Sequence, residues 1–126
     1  MKSTIRILFI ILCAIYISIR WNYIRLDGIT GEICGIFFHT DTKYSMNYSH
    51  HKFVQVKIGM TENEVINILG EPIKRWNPYL GEDYNIKNNY IAFEYSISPS
   101  DTHYRLRSVH FFKGKVNLVN NCFYLD

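Results

Sequence analysis

Outside its first 20 residues this chain has no surplus of charge, and that removes one function class at once. Lys2, Arg6 and Arg20 supply the whole net charge of +3; without them 11 basic residues face 11 acidic ones. A neutral body with no basic stripe does not suit a polyanion, so nucleic acid is not an expected partner. Histidine is present, but His39, His50, His51, His103 and His110 lack metal-site spacing. Neighbours at 50 and 51 cannot both face one centre on a regular element, and no Cys or carboxylate follows at ligand spacing. Those two are read as a solvated loop, and His110, in a strand, as packed or paired. There is no nucleophile-elbow serine, no internal repeat and no low-complexity run. No catalytic residue, metal or cofactor is therefore expected, and the chain is read as a non-enzyme.

Cysteine is scarce too. Of the three, Cys13 lies in an apolar N-terminal run, which leaves Cys34 and Cys122 as the one candidate disulfide. In an oxidising compartment that bridge would contribute about 2–4 kcal/mol. Two free buried thiols are the alternative.

What the chain does have is apolar and aromatic bulk. It is long enough for one ordinary domain. With 48% hydrophobic and 16% aromatic residues it commands a real core. The first apolar run, Ile7 to Ile19, is thirteen residues without a charge, bracketed by Arg6 and Arg20. As a helix it reaches only about 20 Å, short of the roughly 30 Å hydrocarbon core. Residues 4–24 reach about 31 Å if both arginines snorkel and Trp21 and Tyr23 sit at the interface. No small-residue pair between Ala14 and Arg25 makes a good signal-peptidase site, and Leu12 before Cys13 spoils a lipoprotein signal. An uncleaved anchor over residues 1–25 is preferred to a cleaved signal peptide. Flanking basic charge is nearly balanced, and the amino terminus tips orientation toward a cytoplasmic start with the domain outside.

Val56 to Pro72 is a complete short helix with signals at both ends. Thr61 is an N-cap, and Glu64 falls at N3 for a capping box. Met60 and Val65 have hydrophobic-staple spacing, and Glu62 and Glu64 suit the positive end of the dipole. Gly70 is placed to turn left-handed after Leu69, and Pro72 blocks continuation. The pattern Gly59-Met60-Thr61-x-x-x-Val65-x-x-x-Leu69-Gly70-x-Pro72 resembles the signature of the SmpA/OmlA (BamE-like) family. The likeness covers roughly residues 53–119 and is specific only over 59–72. It implies a pair of helices on a small antiparallel sheet, a fold that recurs in β-lactamase inhibitor proteins. It also implies work by protein binding in the bacterial envelope, with no catalytic residues to carry over.

The rest of the chain divides as follows. Residues 26–52, interrupted by Gly28, Gly31 and Gly35, form a tether in which Ile33 to Phe38 reads as a short strand or an apolar segment packed on the domain. Residues 53–126 form the domain. Phe53 to Ile58 leads into the capped helix and has room for a further helical turn. Lys74 to Asn89 is a polar loop. Residues 90–97 alternate, with Ile91, Phe93, Tyr95 and Ile97 on one face. Tyr104 to Phe112 is a second strand; its mixed face of Arg105, Arg107, Val109 and Phe111 suggests twist or a bulge. Lys113-Gly114-Lys115 turns a hairpin into a third strand from Val116. The expected fold is α+β: a membrane helix, then one or two helices packed on a three-stranded antiparallel sheet.

For partners, the expectation is the lipid bilayer through residues 4–24 and another envelope protein. Trp76, Tyr79, Leu80 and Tyr84, set among charged residues, form the candidate binding patch, with Arg105 and Arg107 as a basic rim. The competing view is that Trp76 and Tyr79 fold back as lids on the core. The chain is thus expected to be a single-pass bacterial inner-membrane protein with a periplasmic binding module. An inhibitor or immunity protein that blocks an enzyme or toxin through its loop aromatics is the alternative.

Overall fold

A computed structural model describes residues 2–38, 40–79 and 89–125. Its longest element is α1 (Lys2–Phe37), bent sharply at Gly28, where φ is 71° and ψ 175°. Positive φ with extended ψ is open in practice only to glycine, so Gly28 is the residue that permits the bend. The bend divides α1 into a first arm, residues 2–27, and a second arm, residues 29–37. Tyr16 and Arg20 of the first arm both reach Glu32 of the second. In a straight helix residues 16 and 32 would lie about 24 Å apart, so the second arm folds back along the first. The stretch read as tether or short strand is therefore helix as far as Phe37. Gly31 and Gly35, which looked like interruptions, lie within it.

The domain is α+β, with two antiparallel sheets and two short helices among the described residues. β1 (Lys43–Tyr44) pairs with β4 (Ser96–Ile97). The larger sheet runs in the order β2 (Lys74–Trp76), β3 (Tyr90–Glu94), β5 (Tyr104–Phe112), β6 (Lys115–Tyr124). It has four strands where three were expected, because Lys74–Trp76 joins as an edge strand on β3. The last strand, expected from Val116, starts at Lys115 and runs on to Tyr124. Lys113 and Gly114 close the β5–β6 hairpin, both at positive φ as a type I′ turn requires. A register shift follows His110: Phe111 pairs with Val116 and Asn117 has no partner. A β-bulge is thus present, but its extra residue is on β6, and β5, where twist or a bulge was expected, carries none.

Helix α3 (Glu62–Leu69) carries the caps its sequence announced. Thr61 N donates to Glu64 Oε2 at 2.7 Å, and Glu64 N donates to Thr61 Oγ1 at 3.3 Å. Gly70 ends the helix at positive φ, but its ψ of −170° is extended and not left-handed helical. Val65 and Leu69 of α3 are fully buried with Phe53 of α2 (His50–Phe53) and with Phe93, Val109 and Phe111 of the sheet. Each such side chain contributes about 1.5–3 kcal/mol by leaving water. Met60 packs against the same cluster, in keeping with its staple position.

Candidate functional site: the joint between α1 and the domain

Strand alternation decides what faces α1. Arg105, Arg107 and Val109 share one face of β5, opposite Phe123, Asn121 and Val119 of β6. Asn121 Nδ2 donates at 2.5 Å to Leu26 O, beside the bend in α1. Phe123 lies against Gly31 and Gly35, where a Cβ would come within 3.2 Å and 3.7 Å of its side chain. A Cβ on Gly35 would also collide with the Arg105 guanidinium, so glycine sets how closely the second arm approaches β5 and β6.

Five charged side chains close this joint. Asp27 takes Arg105 on Oδ2 and Arg107 on both oxygens, the Arg107 Nη2 bond measuring 2.9 Å. Arg107 Nη1 stands 2.7 Å from Asp27 Oδ1 but outside hydrogen-bonding angles, so that contact is electrostatic alone. Glu32 lies 3.3 Å from Arg105 Nη2 and accepts from Arg20 Nε at 2.6 Å and from Tyr16 OH at 3.1 Å. The side chains of Asp27 and Arg107 are 0% exposed. Burial works against the charged form of Arg107, yet Asp27 offsets this and holds its pKa above the ordinary value.

An aromatic shell continues the network. Arg107 Nε donates to Tyr48 OH at 3.1 Å, and that hydroxyl lies 3.0 Å from His50 Nδ1. Half-buried beside the Arg107 cation, the His50 ring is favoured in its neutral form, and which of the two atoms donates depends on its tautomer. Its pKa agrees, pushed down to about 4 by burial and by the charge of Arg107. Tyr44 stacks on Tyr48 with centroids 4.6 Å apart, and His50 stands edge-on to both. Burial pushes the Tyr44 phenol up to about 12. Nearby, Asp41 accepts from Ser98, Ser100 and Thr102, and these bonds, Ser100's first, hold its carboxyl far below the usual range.

This arrangement fixes parts in place: its charges are engaged with one another and bury a junction. The expected basic rim is corrected accordingly. Arg105 and Arg107 are 6% and 0% exposed and face α1, because acidic partners 73–80 residues upstream neutralise them. His50 is half-buried against Tyr23, Tyr44 and Tyr48 at the start of α2 and not in a loop, whereas His51 beside it is exposed. His110 meets Trp76, Ser108 and Asn120, as a packed or paired histidine should. Cys34 and Cys122 are free thiols. Alternation explains why: Asn121 and Phe123 face α1, so Cys122 between them faces the other side of the sheet.

Of the aromatic patch, Trp76 and Tyr79 are described, whereas Leu80 and Tyr84 lie outside the described residues. Trp76 is half-buried on the outer sheet face, opposite Ala92 and edge-on to His110. Tyr79 packs on Tyr90, which packs on Phe112. Both aromatics therefore rest on the sheet, Trp76 on the face away from α3. Sequence reasoning missed Asp27, Glu32, Asp41 and Tyr48. The available signal was that two arginines on the core-facing parity of a strand demand buried acids, and Asp27 and Glu32 are the only acidic residues before position 40. Comparison with protein-family models, with curated proteins and with solved structures found no match to this chain.

Proposed function

We propose that this chain is a single-pass protein of the bacterial inner membrane whose SmpA/OmlA-like domain, on the periplasmic side, binds another envelope protein without catalysing a reaction. The first arm of α1 carries the reading. Ile5, Phe9 and Ile19 are 62%, 66% and 73% exposed, and an 18-residue window of the helix reaches mean hydropathy 1.9 with none of it buried. A helix apolar all round and covered by no protein is stable only against lipid. The family likeness is supported by the capping box at Thr61 and Glu64 and by antiparallel strands after the helix. For binding, the support is the aromatic row of Trp76, Tyr79, Tyr90 and Phe112, with Lys113 over the Phe112 ring.

Affinity capture of the full-length protein from detergent-solubilised membranes tests this. The wild type should retain an envelope assembly protein, and the Tyr79→Ala/Phe112→Ala variant should lose it while staying in the membrane. Capture of a toxin or hydrolase would move the function to inhibition. Turnover of a small substrate by an unpartnered monomer would overturn both.

A further inference from the structure

The second arm of α1 carries an apolar stripe that the domain leaves uncovered. Ile29, Ile33, Ile36 and Phe37 are 71%, 49%, 64% and 78% exposed, and their spacing puts them on one helix face. The opposite face, with Gly31 and Gly35, is the one packed on Phe123 and Arg105. Between the arms lies a groove of about 370 Å³, walled by Ile17, Trp21 and Ile24 on one side and by Ile29, Ile33 and Ile36 on the other. Glu32 and Tyr16 also line it.

Two observations say what covers this surface. The first is continuity: the groove's first wall belongs to the same arm whose apolar residues stand exposed from Ile5 to Ile19. The second is charge. Residues 7–19 supply only about 20 Å of the roughly 30 Å a bilayer core needs, and Arg20 would end the span there. Glu32 of the second arm pairs with Arg20 at 2.6 Å and is itself 6% exposed in its side chain. A neutralised arginine at the membrane boundary costs far less than a bare one. The apolar surface therefore continues past Arg20 through Trp21 to Ile24, with the returning arm beside it.

We propose that residues 29–37 are a second membrane contact: their isoleucine stripe and the groove shared with the first arm take lipid acyl chains of the leaflet from which the domain emerges. The inference rests on the membrane-anchor part of the proposed function, and its test separates the two.

The full-length protein, with its native cysteines replaced by serine, is labelled with an environment-sensitive fluorophore at Ile36→Cys and reconstituted into phosphatidylglycerol/phosphatidylcholine vesicles. Ile11→Cys reports the anchor, and Met46→Cys, 98% exposed on the domain, reports water. The Ile36 label should be quenched by lipids carrying a doxyl group near the headgroup, and iodide should quench it several-fold less than the Met46 label. Native Trp21, read in a Trp76→Phe background, should show the same lipid quenching without any label. An Ile36 label as open to iodide as Met46, with the Ile11 label still lipid-quenched, would overturn this proposal and leave the anchor standing. Protection from iodide without lipid quenching would overturn it in favour of a protein cover. Loss of lipid quenching at Ile11 would overturn both.

Discussion

Asp27 is the side chain on which the joint depends most, because two guanidiniums converge on its carboxylate with no solvent around it. Removing one partner of a buried ion cluster leaves the others charged, desolvated and unpaired. Asp27→Ala should therefore cost about 3–5 kcal/mol, measured by unfolding the full-length protein in detergent micelles. Asp27→Asn keeps the shape and should cost less, since its amide oxygen still accepts from one arginine. His50 makes a different prediction, in pH. Unfolded, it titrates near about 6.5. Folded, it waits until about 4. Between those values the unfolded chain binds a proton that the native one refuses, so stability falls as the solution is acidified. The slope for one such group is at most about 1.4 kcal/mol per pH unit, and partial exposure reduces it. Melting temperature should drop from pH 6.5 toward 4, and His50→Phe should flatten that drop. His110, also lowered by burial, contributes in the same direction and keeps the variant from becoming wholly flat. Asp41 loses its contribution only at more acid pH, because its folded carboxyl titrates below the usual range.

At the scale of elements, α3 is the clearest case of local sequence specifying local structure. Both halves of its capping box form, so Thr61→Ala should cost about 1 kcal/mol of stability; a variant with unchanged unfolding would show that the cap is idle. The β5–β6 hairpin was legible for the same reason: its turn residues and alternation lie within a short window. β2 was not, because Lys74-Arg75-Trp76 is an edge strand of three residues, too short to alternate visibly. The second arm of α1 was hidden by its glycines, which ordinarily break helices. One of them, Gly28, does bend the helix; Gly31 and Gly35 instead serve close packing on β6 and on Arg105, something only the distant partner reveals. The acids of the joint were hidden likewise, since their arginine partners come 73–80 residues later. Gly35→Ala should therefore destabilise the joint by about 1–3 kcal/mol through overpacking, read as a lowered melting temperature. The same change at Gly59, where a Cβ meets nothing within 4 Å, should act only through its backbone strain at φ of 90°.

For the whole molecule, the consequence of the joint is orientation. A domain tethered by a loop would sample all directions above a membrane, whereas this one is fastened to its helix by buried charges, by Asn121 on Leu26 and by Phe123 on the glycine face. Buried ion pairs of this kind add little net stability but define one arrangement among many, because any other leaves charge unpaired. On the proposed reading, that separates two properties: membrane attachment belongs to the first arm, and domain orientation to the Asp27 and Glu32 cluster. Asp27→Ala/Glu32→Ala should therefore leave the protein resistant to alkaline extraction while freeing the domain. Exposed Arg25 and Lys43 flank the joint and make it measurable by limited trypsin digestion in membranes. Cleavage there proceeds through local opening, and each ~1.4 kcal/mol lost from the joint raises the open population tenfold. The double variant should be cut at these sites at least about tenfold faster than the wild type, given the penalty for breaking buried pairs. Equal cutting rates would mean that the glycine face and the aromatic shell hold the domain without the charges. Release of the variant from the membrane would mean that anchor and joint are not separable.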